Sequence, residues 1–286
     1  MIPSNLWGII VAGGAEERRR ATRTLARPSQ TVTRSTLFRR TLDRATRLIP
    51  PERLTAVVVR DHSAYYDIAL GCFPDVHRLV QPRWRGSAPE IFLPVLRIAR
   101  RDPDATVVVL PGDQLMDGEA SFMHHVAKAA RAVAARPDLP VVIGAHPGGP
   151  DGGSAWIEPG PPLEGVEAFA VRSISRFLPR PTPADVMALW DGDGLVHTGV
   201  FVGKACTLIG LGGRYLPDVL ETFEPLERAF DAPEERLMCE AVYEDMPFAA
   251  ISHALFARVQ NVGVLPVAQV LRTSHASVPV AEALAS

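Results

Sequence analysis

The segment Thr106-Val-Val-Val-Leu-Pro-Gly-Asp-Gln114 constrains the fold more than any other part of the chain. Its β-branched apolar run has strand length and no polar break, the pattern of a strand buried on both faces. Pro111-Gly112 stops the run and a carboxylate follows at once. Asp113 is therefore expected at the carboxyl end of a buried strand, where open α/β sheets bind ligands. A carboxylate in that place is a candidate metal ligand for phosphate chemistry. A turn aspartate that caps the next segment is the alternative reading.

The rest of the first half alternates in the same manner. Residues 7–12, 54–60, 107–110 and 141–144 are short apolar runs of strand type. Between them, residues 35–49 place Leu37, Phe38, Thr41, Leu42, Ala45, Leu48 and Ile49 on one helical face, and Pro50-Pro51 ends it. Residues 87–100 open with Ser87-Ala-Pro-Glu90, the spacing of a capping box with proline in the first turn. Residues 121–135 form a third amphipathic pattern. After about residue 150 the texture becomes α+β, with strand expected over 154–157, 169–177, 200–202 and 262–267. Helix is expected over 184–190, 233–244 and 249–258. These features predict one α/β domain, Rossmann-like, with a mainly parallel mixed sheet flanked by helices.

The net charge of −2 over 286 residues provides no global field toward nucleic acid or an anionic membrane. Arginines crowd the start of the chain (Arg18, Arg19, Arg20, Arg23, Arg27, Arg34, Arg39, Arg40), and a solvated helix face or a phosphate-facing loop explains them better than a nucleic-acid module. Cys72, Cys206 and Cys239 have no metal-type spacing, which predicts a reduced, cytoplasmic protein. The apolar start over 6–12 is too short to span a membrane and is read as a first strand. His124-His125 lie at adjacent helical positions and are not expected to share a metal.

Several short motifs follow one another in a particular order. The first strand runs into Val11-Ala-Gly-Gly14, where paired glycines let backbone N–H groups approach a phosphate. Then come Arg27-Pro-Ser-Gln30, Gln81-Pro-Arg-Trp-Arg-Gly-Ser-Ala-Pro89, Leu110-Pro-Gly-Asp113, Ala155-Trp-Ile-Glu-Pro-Gly160, Pro179-Arg-Pro181 and Val196-His-Thr-Gly199. The series resembles the sugar-phosphate nucleotidyltransferases, most closely the mannose-1-phosphate guanylyltransferases, over nearly the whole chain. The resemblance implies a single domain, 1–286, with a nucleotide-binding half over 1–150 and a sugar-binding half over 151–286. It implies attack of a sugar 1-phosphate oxygen on the α-phosphate of a nucleoside triphosphate, GTP favoured, with Mg²⁺ as cofactor and pyrophosphate released. Gly13 and Gly14 match the phosphate-cradling glycines, Arg18 the loop arginine, and Asp113 a metal-binding aspartate that serves catalysis. Gln81, Arg85, Ser87 and Ala88 match the region that meets the nucleotide. Glu158, Arg180, His197 and Thr198 fall at sugar-side positions, with Gly144 and Trp156 as pocket walls.

The chain departs from the family pattern at chemically important places. Glu16-Glu17 stand where the family has Gly-Thr, and Ser29 where it has a phosphate-binding lysine. Pro179-Arg180 replaces Glu-Lys, His197-Thr198 replaces Asn-Ser, and Ser274 aligns with the second metal aspartate. Two readings follow. In one, an active transferase has rebuilt its site with nearby arginines and glutamates. In the other, the fold binds a nucleotide or nucleotide-sugar without turnover and serves as a regulatory or structural partner. The expected partners are small molecules, with no nucleic acid and no membrane; assembly with like or unlike chains is left open.

Overall fold

The structure is a computed structural model and describes residues 3–12, 34–116, 118–268 and 271–272. Four parallel strands, β1 (Leu6–Val11), β2 (Leu54–Val59), β3 (His77–Gln81) and β4 (Thr106–Pro111), lie in the order β3-β2-β1-β4. Their carboxyl ends share one edge of the sheet, with Val11 opposite both Val57 and Pro111. Beyond β4 the sheet continues through β9 (Leu195–Lys204), β6 (Val141–Ala145), β10 (Gly263–Val267), β8 (Arg172–Leu178) and β7 (Trp156–Pro162). The pairings of β9 with β4 and β6 are antiparallel, whereas β6 and β10 are parallel. β7 also pairs with the start of β9, so β9-β6-β10-β8-β7 closes into a ring. A separate short ladder joins β5 (Leu115–Met116) to β11 (Leu271–Arg272). The result is the mixed α/β architecture that the alternating pattern predicts.

Alternate residues of the strands feed two cores, as the period of two requires. Ile10, Val108 and Leu110 face one side, together with Phe38 and Leu42 of α1 (Arg34–Ala45), Tyr66 of α2 (Ala64–Gly71) and Phe122 and Val126 of α4 (Glu119–Ala135). Ile9, Val107 and Val109 face the other side. There they meet Phe92 and Val95 of α3 (Ser87–Arg101), Leu208 of α6 (Ala205–Tyr215), Phe223 of α7 (Pro217–Arg228) and Tyr243 of α8 (Glu235–Asp245). A small third cluster packs Trp156 and Val196 against Val186 and Leu189 of α5 (Pro183–Asp191).

Several local expectations are corrected. Ser87 does not cap its own helix: Gly86 is the N-cap, at φ +93°, and no side chain caps it. The Ser87 hydroxyl instead accepts the N–H of Ile251 at 3.0 Å. The helix expected over 249–258 is a π-helical turn at Ser252–Phe256. The strand expected over 169–177 begins at Arg172, because Glu167–Phe169 forms a 3₁₀ turn that ends in left-handed Ala170. Strand β3 was not anticipated, since His77-Arg-Leu-Val-Gln81 is too polar to stand out; it is an edge strand with alternating burial.

Candidate active site

Asp113 sits on the turn that leaves β4, beside the end of β1, where the N–H of Gly112 donates to Val11 O at 2.8 Å. This turn is anchored from both sides. Arg44 of α1 is fully buried and donates through Nη1 to Gln114 O at 3.2 Å. The Gln114 amide donates in turn to Thr198 O on β9. Burial in a low-dielectric setting lowers the Arg44 guanidinium to about 10, and its Nε and Nη2 have no hydrogen-bond partner among the described residues. The β5–β11 ladder sets Arg272 opposite Leu115, so the last described segment returns to the Asp113 turn. Gly13, Gly14 and Arg18, expected at the end of β1, lie outside the described residues, as do Ser29 and Ser274.

The second part of the edge is the loop over 82–86, which follows β3 and leads into α3 at Ser87. Gln81 is wholly buried, and among the described residues neither its amide nitrogen nor its oxygen has a hydrogen-bond partner. Trp84 Nε1 and the Tyr243 hydroxyl are likewise buried, with no hydrogen-bond partner among the described residues. Burial, with Cys239 and Glu90 nearby, raises the Tyr243 phenol well above its ordinary value, so it remains a neutral donor. Unpaired buried polar atoms are costly, each on the order of 1–3 kcal/mol; Gln81 and Trp84 carry such atoms beside and within this loop, and Tyr243, whose backbone carbonyl receives Arg85 of the loop, carries another.

The other residues expected at the nucleotide form the frame of this loop. Arg85 turns toward the end of α8, donating through Nε to Tyr243 O at 3.2 Å and through Nη2 to Glu244 O at 2.7 Å. These are carbonyls of a helix C-terminus, where a cation is favoured. Ala88 donates its N–H to Ala249 O at 2.9 Å, and Ser87 receives Ile251. Residues 249–251 thus complete the frame. They lie more than 160 positions away in sequence, and no local signal marks them.

The sugar-side set is not gathered at one point. His197 lies on the face of β9 that meets Phe177 and Phe256, with ring centroids 5.3 and 5.8 Å away. Burial lowers its imidazole to about 4, so the ring is neutral near pH 7, and its Nδ1 has no partner among the described residues. Glu158 lies on the opposite face, in line with Trp156, and its carboxylate is 3.6 Å from Arg176. Arg176 in turn bonds Asp185 of α5 at 3.0 Å. The Thr198 hydroxyl is buried and donates to Ile143 O at 2.8 Å while accepting the N–H of Val200. Arg180 is exposed, close enough to His253 that its charge, after burial, lowers that imidazole. The two expected pocket walls are packing residues instead. Trp156 is buried with its indole N–H on Asp151 O, and a Cβ on Gly144 would lie 3.0 Å from both Leu195 and Val264.

The chemistry of the described donors fits one metal more than others. Among the described residues no group of three His, Cys, Asp or Glu is placed to enclose an ion. A single hard carboxylate, Asp113, suits Mg²⁺, which is commonly held by one or two carboxylates plus substrate phosphates. It does not suit the closed nitrogen and sulfur cages of structural zinc.

No protein-family model matches the chain. The xanthan biosynthesis protein XanB of Xanthomonas campestris pv. campestris (strain B100) is 29% identical over 199 residues, 66% of this chain and 39% of that protein. The mannose-1-phosphate guanylyltransferase of Klebsiella pneumoniae is 25% identical over 180 residues, 60% of this chain and 38% of that protein. The chain therefore spans well under half the length of these curated relatives. Among solved structures, the mannose-1-phosphate geranyltransferase of Thermus thermophilus superposes with a TM-score of 0.76 at 24% identity, covering 93% of this chain and 75% of that one. That likeness shows the fold.

Proposed function

Because the chain is a divergent relative of the sugar-phosphate nucleotidyltransferases, we propose that it binds a nucleoside triphosphate, GTP by preference, and transfers its nucleotidyl group weakly to a sugar 1-phosphate such as mannose 1-phosphate. A phosphate oxygen of the sugar 1-phosphate forms the new bond to the α-phosphorus. The bond from the α-phosphorus to the bridging oxygen breaks, and pyrophosphate departs with that electron pair. Mg²⁺, when bound, would neutralise charge on the triphosphate, and Asp113 would supply its protein ligand. Gly13, Gly14 and Arg18 would hold phosphates, and Glu158, Arg180 and His197 the sugar. The buried amide of Gln81, the indole of Trp84 and the phenol of Tyr243 offer donors and an acceptor that a base edge would satisfy. The observation that carries the reading is the pairing of Asp113, beside the end of β1, with this unpartnered set at the end of β3 on the same sheet edge.

A second reading, nucleotide binding without turnover, is favoured by the commitments of the sugar side. Glu158 is ion-paired to Arg176, and the Thr198 hydroxyl is used inside the sheet. One experiment decides between them. Pyrophosphate release is followed with GTP and ATP against several sugar 1-phosphates, alongside calorimetry of GTP and GDP-mannose. Weak transfer predicts measurable release below the usual enzyme range of ~1–10³ per second. Binding with no release supports the second reading, and no binding at millimolar ligand would sink both.

A further inference from the structure

A cavity of about 470 Å³ opens along the outer edge of β3, between that strand, α3 and α8. It is separate from the Asp113 turn: β3 and β4 have two strands between them, so three strand spacings of ~5 Å intervene. Five guanidinium groups line it (Arg60, Arg78, Arg97, Arg101, Arg236) against three carboxylates (Asp231, Glu235, Glu240), an excess of two positive charges. The carboxylates are already engaged. Arg97 pairs with Glu235 and lies 3.8 Å from Asp231, Arg101 is also 3.8 Å from Asp231, and Arg60 pairs with Glu240. Glu235 further accepts the N–H of Asp231, which holds a left-handed φ of +65°. Arg78 finds its partner, Asp67, outside the lining. Among the described residues no acidic group lies within ion-pair distance of Arg236, although its charge, after that of Arg60, helps to lower the Glu240 carboxyl; with Arg78 taken by Asp67, one positive charge is left over.

The arrangement is built rather than incidental. Arg97 is mostly buried, its guanidinium stacks 4.5 Å from the centre of the Phe230 ring, and its buried Nε has no acceptor among the described residues. Stacking fixes the plane of the guanidinium, and with its Nη2 held by Glu235, Arg97 acts on an anion through its charge and not as a two-point fork. Leu79, Leu93 and Leu226 supply apolar wall for a carbon skeleton. The volume falls within the range of small-molecule sites, roughly 300–1,000 Å³, and exceeds what a bare phosphate ion fills. The local field also reaches His77, whose imidazole is lowered by burial and then by Arg97 and Arg101.

We propose that this cavity binds a small phosphorylated organic dianion, with Arg97, Arg101 and Arg236 on the phosphate and the leucines on the carbon skeleton.

The test uses the full chain, with inorganic phosphate and glucose 6-phosphate as probes and glucose as the neutral control. Calorimetry is expected to show binding of glucose 6-phosphate, weaker binding of inorganic phosphate and none of glucose, each interaction falling with added salt. The double variant Arg101→Ala/Arg236→Ala should lose about tenfold or more in affinity, the scale of one charge-assisted contact. Glu240→Gln removes a competing carboxylate and should tighten binding, a gain that misfolding does not produce. In NMR, the His77 ring should titrate at higher pH when glucose 6-phosphate is present, because an anion favours imidazolium. The proposal is overturned if neither phosphate binds at millimolar concentration or if His77 does not respond. It is also overturned if the arginine variant binds as the parent does, or if Asp113→Ala abolishes binding while the arginine variant does not.

Discussion

Ala249 clasps the backbone around Gly86: its N–H donates to Arg85 O at 3.0 Å and its carbonyl accepts Ala88 N–H at 2.9 Å. Gly86 itself has φ +93°, and a Cβ there would lie 2.2 Å from Ala249 O. Backbone atoms cannot yield as a flexible side chain does. Gly86→Ala should therefore cost about 2–4 kcal/mol from strain and overpacking together. Urea denaturation measures it, and a loss below about 0.5 kcal/mol would show that the clasp is not rigid.

Thr198 makes a separate prediction. Its buried hydroxyl donates to Ile143 O and accepts Val200 N–H. Thr198→Val keeps the shape and removes both bonds, so it should destabilise by about 1–3 kcal/mol. If that substitution leaves the denaturation midpoint unchanged but weakens sugar-phosphate binding, the hydroxyl serves a ligand and not the sheet.

His197 predicts a pH dependence. Its imidazole is lowered from an ordinary 6.5 to about 4 by burial. Between those values the unfolded chain takes up a proton that the folded chain refuses, so stability present above pH 6.5 falls as the pH drops toward 4. The upper bound is about 3 kcal/mol. Chemical denaturation across this window should show a loss in the parent that is reduced in His197→Phe, whose ring suits the Phe177 and Phe256 neighbours. Equal pH slopes in the two proteins would contradict the assignment.

Asp113 tests the metal. With one protein carboxylate among the described donors, GTP affinity should change by less than about tenfold between Mg²⁺ and chelator. Asp113→Ala should abolish that difference while leaving nucleotide binding. A large Mg²⁺ dependence in the parent would mean that further ligands assemble with the nucleotide, and would favour an efficient transferase.

The β4 strand and the Asp113 turn were legible because an apolar run that ends in Pro-Gly has few alternatives. The helix α6 was not, since Gly210, Gly212 and Gly213 depress its helical propensity. Gly212 is nevertheless required, as a Cβ there would lie 2.6 Å from the Phe92 ring. The sugar-side residues failed to converge for a different reason. Which face Glu158 and His197 occupy depends on the register of β7 against β9, which sets Trp156 opposite Val196, and register is a tertiary quantity. Trp84, Tyr243 and residues 249–251 come together only through the long return of the chain.

Strand β9 has a mechanical consequence. Its carboxyl half is hydrogen-bonded to β4 and its amino half to β7, so one continuous backbone is a beam shared by the parallel half and the closed ring. Rotating the parallel half against the ring would shear the β4–β9 ladder, because the β7–β9 ladder lies within the ring. The break in this beam is at Gly199, φ +76°, where the register of β6 on β9 shifts, and other adaptation to a ligand falls to segments hung on the rim of the sheet, the 82–86 loop and the π-helical turn at Ser252–Phe256.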